Sequence, residues 1–291
     1  MARMNRVATA VLLVVCGVTA ALAQQRPLLT DDVDITPAGA FTLSAGVDFL
    51  QDAKFPLSGI RGDQTRVGDI RVRTGFASNV EFQIEGVLQN YVAINSRGPS
   101  GVPLTLKNPN STNDFGDFVI STKIKLRNET RNLPALGFKV GFEMPNSDQA
   151  RGIGTNQINV FGKVLVQKKF GDFRGGTPRL NLMGNLGLEI MTAPVNLFTQ
   201  NDLFLYGVAG IYRLSDHVNI ASEVNGRLNT RKGNAPLGTE STGQFRLGAQ
   251  VKASGMRFDV AAIKGLTSFS PRTGVIFGVT YETPAIFTPA R

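Results

Sequence analysis

A strict alternation of apolar and polar side chains constrains this chain more than any other feature. Positions 118, 120, 122, 124 and 126 hold Phe, Ile, Thr, Ile and Leu, whereas Ser121, Lys123 and Lys125 lie between them. A strand places two such sets on opposite faces, while a helix would mix them. The same period recurs in windows beginning near residues 70, 80, 180, 218 and 245. The sequence therefore predicts an all-β fold.

The alternating windows and the turn residues between them define about twelve predicted strands. Most of these strands reach the roughly 9–11 residues that a tilted strand needs to cross a bilayer, whereas strands of soluble proteins average about 5–6 residues. An even number of strands is typical of bacterial single-chain barrels. The predicted strands cover residues 40–50, 66–77, 80–94, 114–127, 135–145, 156–170, 178–191, 201–213, 217–229, 241–253, 256–264 and 273–281.

The connections between these strands alternate in length. Short connections fall near 78–79, 128–134, 171–177, 215–216 and 254–255, and longer ones near 51–65, 95–113, 147–155, 192–200, 230–240 and 265–272. This order predicts a closed antiparallel up-and-down transmembrane β-barrel with short periplasmic turns and longer outer loops. The alternative is a soluble exported β-protein, because alternation by itself does not decide whether the apolar face points toward lipid or into a core.

The first residues have the features of a secretion signal. Arg3 and Arg6 precede an apolar run, and small residues flank Leu22 at positions 21 and 23. This pattern predicts a signal peptide over residues 1–23. The remaining chain is divided into a periplasmic N-terminal segment over 24–39, a β-barrel over 40–281 and a C-terminal tail over 282–291.

The last predicted strand indicates how the barrel would reach its membrane. Val275, Phe277, Val279 and Tyr281 share one face and resemble the terminal strand by which outer-membrane proteins are recognised for assembly. We therefore expect a bacterial outer-membrane location. The expected partners are outer-membrane lipid, the barrel-assembly machinery and a small-molecule solute.

Few residues suit catalysis, metal binding or nucleic-acid binding. Cys16 is the only cysteine and lies in the predicted signal, and His217 is the only histidine, so we expect no metal site and no cofactor. Ser215, Asp216 and His217 are consecutive in a predicted turn, where they cannot form a catalytic triad, so we predict no catalytic residue and no enzyme. The net charge of +9 is spread without a basic cluster, so no nucleic-acid partner is expected.

The segment over residues 26–41, RPLLTDDVDITPAGAF, resembles the opening of a known family. This is an outer-membrane transporter family named after the meta-pathway of phenol degradation (MetA-like), which is distantly similar to hydrophobic-compound channels. The resemblance implies a porin-like barrel that transports solutes. The matching residues are Arg26, Pro27, Thr30, Asp31, Asp32 and Gly39.

The polar faces of the strands are the candidate functional surface. Rings of charged side chains set selectivity in pores, but opposite charges on neighbouring strands can equally pair and fill a small barrel. The predicted lumen-lining residues are Asp69, Arg71, Arg73, Glu81, Glu85, Asp117, Lys123, Lys125, Lys163, Glu189, Glu223, Arg227, Arg246 and Lys252.

A barrel of about twelve strands lies between the filled eight-strand barrels and the open barrels of about 16–18 strands, so we expect a narrow or blocked pore. Thr30, Asp31, Asp32 and Asp34 form a candidate plug, because an acidic stretch complements a cationic lumen. The predicted function is passive uptake or efflux of small, hydrophobic or aromatic molecules. The alternative is a structural or adhesive barrel with a closed lumen.

Overall fold

The computed structural model describes residues 26–173, 177–195 and 200–288, so the predicted signal peptide lies outside the described residues. Long antiparallel strands, one short strand and a single 3-10 turn at Gln149–Arg151 make up the regular structure of this part. The strands are β1 Phe41–Phe55, β2 Ile60–Ala77, β3 Val80–Arg97, β4 Ser111–Asp114, β5 Phe118–Arg127, β6 Ala135–Met144, β7 Asn159–Phe173, β8 Thr177–Thr192, β9 Gln200–Arg213, β10 Val218–Asn229, β11 Thr242–Ala253, β12 Met256–Gly265 and β13 Thr273–Glu282.

The sheet closes on itself. Each long strand pairs with its neighbours in sequence, and β1 pairs with β13 from Thr42 opposite Glu282 to Gln51 opposite Thr273. The short strand β4 pairs only with the outer part of β3, where Ala93 lies opposite Ser111. The predicted closed antiparallel barrel of twelve strands is therefore confirmed.

The first long connection differs from its prediction. Residues 51–65 were expected to form a loop, but β1 extends to Phe55 and β2 begins at Ile60. A register shift between Leu50 and Ala53, with Asp52 at φ 57°, interrupts the two-residue period here. Because a bulge inserts an extra residue into one strand, alternation fails across it although the strand continues.

The apolar rows of the strands face outward. Phe138, Val140 and Phe142 on β6 are 37, 42 and 40 % exposed, whereas Lys139 between them is 1 % exposed. A soluble sandwich would show the reverse, with the apolar row buried. The exterior of the barrel therefore suits lipid, and its interior is polar.

The described part of the chain contains no helix that is both long and apolar enough to cross a membrane.

The two ends of the barrel differ. The short turns after Ala77, Arg213 and Ala253 lie at one end, together with the start of β1 and the end of β13. At the opposite end the long connections interlock: the Ser58 hydroxyl donates to the Gly152 carbonyl oxygen at 2.7 Å, and the Gly101 amide donates to the carbonyl of Leu57. We call these the short-turn end and the long-loop end.

Candidate functional site

Residues 26–40, which we call the N-terminal segment, enter the barrel from the short-turn end. This segment forms no strand of the barrel, yet Leu28, Asp31, Asp32 and Val33 are all at most 1 % exposed. An irregular segment needs hydrogen-bond partners for its backbone when it is buried. The barrel wall supplies those partners.

Side chains on several strands accept hydrogen bonds from the backbone of the segment. The amide of residue 29 donates to Glu223 Oε1 and the amide of residue 30 donates to Glu223 Oε2, both at 2.8 Å. The amide of residue 31 donates to Asn185 Oδ1 at 2.6 Å, and that of residue 33 to Gln167 Oε1 at 2.8 Å. Glu81 accepts from the amide of residue 36 at 2.6 Å. The wall thus holds the segment along most of its length.

Asp31 lies between two lysines of the wall. Its carboxylate oxygens are 3.0 Å from Lys139 Nζ and 2.7 Å from Lys163 Nζ. Burial by itself raises the pKa of Asp31, but the two ammonium groups lower it overall to below its ordinary value. Asp31 is therefore a carboxylate that the barrel interior stabilises in its ionised form.

Asp32 and Asp34 meet further cations. Asp32 lies 2.9 Å from Lys123 Nζ, which is also 3.2 Å from Glu81, and Asp34 lies 2.7 Å from Lys169 Nζ. Burial raises the pKa of Asp32 to about 6, and the Lys123 ammonium only partly offsets this increase. The two neighbouring aspartates Asp31 and Asp32 thus respond differently to the same interior.

Arg26 crosses to the opposite side of the lumen. Its guanidinium lies 2.8 Å from Asp69, 3.4 Å from Asp48 and 3.6 Å from Asp259, which belong to β2, β1 and β12. Its carbonyl oxygen accepts a hydrogen bond from Gln250 at 2.6 Å. The segment therefore places a cation where the wall is acidic and carboxylates where the wall is basic.

Two apolar side chains of the segment also pack against the wall. Leu28 is in a buried cluster with Met183, Ala209, Ile211 and Ala221 of β8 to β10. Val33 forms a second cluster with Ala135 and Leu165. Burying an aliphatic side chain of this size contributes about 1.5–3 kcal/mol, so both anchors favour the docked position of the segment.

Glycines in the wall make room for the segment. A Cβ atom at Gly207 would lie 2.7 Å from Thr30 Oγ1, and one at Gly278 would lie 2.6 Å from Arg26 Nε. Gly39 has φ +80°, and a Cβ there would overlap the carbonyl oxygen of Phe287 in the C-terminal tail. Side chains at these positions would displace the segment, so the wall and the segment fit each other closely.

Half of the predicted lumen residues contact the segment directly. The others include paired charges: Arg71 lies 2.7 Å from Glu85, and Arg227 lies 3.8 Å from Glu189. Asp117 accepts from Ser147 at the long-loop end, and Arg73 is 0 % exposed. Lys252 lies on β11 near the short-turn end. The residues in contact with the segment are Asp69, Glu81, Lys123, Lys125, Lys163, Glu223 and Arg246.

Several wall residues were missing from the sequence-based set. Lys139 is the clearest case, because it alternates with Phe138 and Val140 in the same way as the lysines that were chosen. Asn185 and Gln167 are uncharged and were not considered as candidate lumen residues, although both bind the segment backbone. The alternation contained the signal for all three.

His217 lies exposed in the turn before β10, where its backbone amide donates to Ser215 Oγ at 3.3 Å. No group of three or more His, Cys, Asp or Glu residues suited to a metal ion occurs within residues 26–173, 177–195 and 200–288. The titratable groups of the interior instead pair with one another.

Comparisons with known proteins address the fold. No family model and no curated protein matches the chain. Among solved structures, the COG4313 outer membrane channel from Pseudomonas putida F1 is similar, with 14% identity, a TM-score of 0.60 and coverage of 87% of this chain and 97% of that chain. The chain is a bacterial outer-membrane β-barrel. The short-turn end is accordingly periplasmic and the long-loop end is the outer one.

Two further solved barrels resemble the chain more loosely. LpxR from Salmonella typhimurium is 11% identical with a TM-score of 0.45, covering 82% of this chain and 99% of its own. The TodX monoaromatic hydrocarbon channel, in a deltaS2 mutant form, is 7% identical with a TM-score of 0.42, covering 85% and 90% respectively. These similarities extend to the general barrel architecture.

The prediction that the chain is not an enzyme needs correction. The barrel fold does not exclude catalysis, because one fold can carry many unrelated functions. That prediction rested on the only histidine, His217, which follows Ser215 and Asp216 directly in one turn and cannot form a catalytic triad with them. The position of one histidine does not decide the question, because acid–base and nucleophilic chemistry also use carboxylates, lysines and hydroxyls.

Proposed function

We propose that this chain is an outer-membrane channel for small molecules and that its N-terminal segment narrows the lumen. One observation carries the proposal: an irregular segment crosses the interior and binds side chains from all sides of the wall. Its contacts range from Asp48 on β1 through Lys139 on β6 to Glu223 on β10.

The contacts between the N-terminal segment and the wall are of a kind that allows the segment to leave the lumen. The segment is held by ion pairs, by hydrogen bonds to side chains and by two small apolar clusters, and only Ala38 makes a β-bridge with the wall, opposite Gly75. Strands joined by a full ladder would separate only when the barrel opens. Side-chain contacts can instead be exchanged for water in the lumen, so the segment can leave while the twelve-strand wall stays closed.

The proposed solutes are small, apolar or aromatic molecules that cross by passive diffusion. This part of the proposal draws on the resemblance of residues 26–41 to the MetA-like transporter family. The fold shared with the Pseudomonas putida outer membrane channel supports a channel of this general kind.

A deletion tests the proposal. The chain lacking residues 24–38 is reconstituted in planar bilayers beside the full chain, after heat-modifiable gel mobility has shown that both are folded. We expect a low single-channel conductance from the full chain and a severalfold higher one from the deletion. A full-length control carries Asp216→Asn in an exposed periplasmic turn and is expected to keep the low conductance.

Two results would contradict the proposal. An unchanged conductance in the folded deletion would show that the segment does not limit the pore. No conductance from either form would favour the alternative, a structural or adhesive barrel with a closed lumen. Liposome swelling with single-ring solutes extends the same comparison from ions to uncharged molecules.

A further inference from the structure

A cavity of about 240 Å³ lies in the outer half of the lumen, on top of the N-terminal segment. Leu29 and Thr30 of the segment form part of its lining, and the outer portions of β9 to β11 contribute Leu205, Asn225 and Gln244. Pockets for drug-sized ligands have volumes of about 300–1,000 Å³, so this one has room for a molecule of single-ring size.

Asn225 gives the cavity a specific polar feature. Its side chain is buried, with 8% exposure, and its Oδ1 accepts a hydrogen bond from Gln244 Nε2 at 3.2 Å. Its Nδ2 has no hydrogen-bond partner within the described part of the chain. A buried donor without a partner costs about 1–3 kcal/mol. A ligand atom that accepts a hydrogen bond from Nδ2 would remove this cost.

The charges around the cavity are already compensated. Lys163 lies 2.7 Å from Asp31, and Arg227 lies 3.8 Å from Glu189 while its Nε donates to the Glu240 carbonyl oxygen. An additional charge would lose its hydration without a free partner of opposite sign. The cavity therefore favours an uncharged ligand.

The cavity borders a second cavity among the outer loops. Arg227 and Thr242 line both this cavity and a second one of about 150 Å³, which lies among the long connections at Pro56, Gly154 and Phe269. A molecule entering between the outer loops would meet the larger cavity before it meets the segment. The cavity thus lies between the outer loops and the segment.

We propose that this cavity binds an uncharged single-ring molecule that carries one hydrogen-bond-accepting oxygen. The oxygen accepts from Asn225 Nδ2, and the ring packs against Leu29 and Leu205. This inference rests on the proposed function for its biological meaning, since it names the class of solute that pauses above the segment. The binding itself does not require conduction.

The test uses the purified full chain in detergent and three probes of the same shape. 4-Bromoacetophenone has the accepting oxygen, 4-bromobenzoate replaces it with an anion, and 1-bromo-4-isopropylbenzene has no oxygen. Equilibrium dialysis gives each Kd, and anomalous diffraction from soaked crystals locates the bromine. We expect the ketone to bind in the cavity about five- to tenfold more tightly than either analogue, which corresponds to one good hydrogen bond.

Substitutions assign the contact. Asn225→Leu and the near-isosteric Asn225→Asp both remove the donor, and each is expected to raise the Kd of the ketone about five- to tenfold. Asn219→Leu removes a buried amide on the same strand outside the cavity, so it should leave the Kd unchanged. Asn225→Asp keeps the test valid if the leucine variant does not fold.

Three results would overturn the proposal: no bromine peak in the cavity, an unchanged Kd in both Asn225 variants, or tighter binding of the benzoate. The last result would indicate an anion site at Lys163 and Arg227. Because binding is measured without conduction, a chain that binds the ketone but does not conduct would contradict only the channel function. A chain that conducts but does not bind it would contradict only this site.

Discussion

Lys139 Nζ and a carboxylate oxygen of Asp31 lie 3.0 Å apart in the barrel interior, although the two residues are 108 positions apart in the sequence. Both residues are 1 % exposed. Removing one partner of a buried pair leaves an uncompensated charge and typically costs about 3–5 kcal/mol. The pair therefore couples the position of the N-terminal segment to the wall of the barrel.

Replacing Asp31 should loosen the segment. In a Cys16→Ser chain, a cysteine introduced by Leu28→Cys reports on docking, because Leu28 is 1 % exposed when the segment is in place. We expect Asp31→Asn to increase its rate of maleimide labelling about tenfold or more, the factor that about 1.4 kcal/mol produces. Asp216→Asn should not change the rate. Equal labelling in the two variants would show that Asp31 does not hold the segment.

Added bulk at Gly207 should displace the segment without touching its charges. A side chain there meets Thr30, whereas a Cβ at Gly184 on the neighbouring strand has only one atom within 4.0 Å. We expect Gly207→Val to speed hydrogen–deuterium exchange of the amides of residues 28–33, and Gly184→Val to leave it unchanged. Both substitutions suit strand propensity, so a difference between them reflects the contact with the segment. Slow exchange in both variants would argue against close packing at this point.

The pH dependence of docking should have two parts of opposite sign. Burial raises the pKa of Asp32 to about 6, so docking strengthens as the pH falls from about 7.5 to 5 and this carboxylate takes up a proton. Although burial also acts on Asp31, Lys139 and Lys163 lower its pKa below the ordinary 3.8. The stabilisation from Asp31 is therefore present above about pH 3.8 and is lost below it.

Conductance should consequently pass through a minimum near pH 4, between these two effects. Wall carboxylates also lie close to the lysines that pair with these aspartates, Glu81 to Lys123 and Glu85 to Lys139, so a matched variant is needed. Asp32→Asn should abolish the decrease between about pH 7.5 and 5 while preserving the increase below about pH 4. A conductance that rises steadily from pH 7.5 downward would be incompatible with the raised pKa of Asp32.

The strands could be predicted because the long strands have a polar face toward the barrel interior and an apolar face toward the exterior. Alternation is a local signal, and it located the twelve long strands to within a few residues except where a bulge interrupts it, as at Asp52. The same signal identified most charged wall residues, such as Lys123 and Glu223. It would also have identified Lys139, which lies between the outward-facing side chains of Phe138 and Val140.

The path of the N-terminal segment could not be derived in the same way. Residues 26–40 have no period, so only their charge indicated a preference for a cationic interior. Which carboxylate meets which lysine depends on the order of strands around the closed sheet. Arg26 illustrates this, because Asp48 and Asp69 belong to the first hairpin, whereas Asp259 lies on β12, which comes near that hairpin only when β13 pairs with β1.

Arg26 and Arg66 provide a matched comparison, since both contact Asp48 and Asp69. The side chain of Arg26 is 6% exposed and belongs to the segment, whereas that of Arg66 is 28% exposed and belongs to the wall. We expect Arg26→Met to lower the free energy of unfolding by about 3 kcal/mol, because three carboxylates lose their most buried cation and the more exposed Arg66 pairs with only two of them. Arg66→Met should cost about 1 kcal/mol or less, since water screens that pair.

Thermal unfolding, monitored by heat-modifiable gel mobility, measures the stability lost in both arginine variants. The substitution Asp69→Asn tests the cause of each loss. Combined with Arg26→Met, Asp69→Asn removes one of the carboxylates that have lost their nearest cation and should restore part of the lost stability. Combined with Arg66→Met, it should restore little, because Arg26 still lies 2.8 Å from Asp69 in that variant. If both arginine variants lose the same stability and Asp69→Asn rescues neither, the three carboxylates around Arg26 do not anchor the segment.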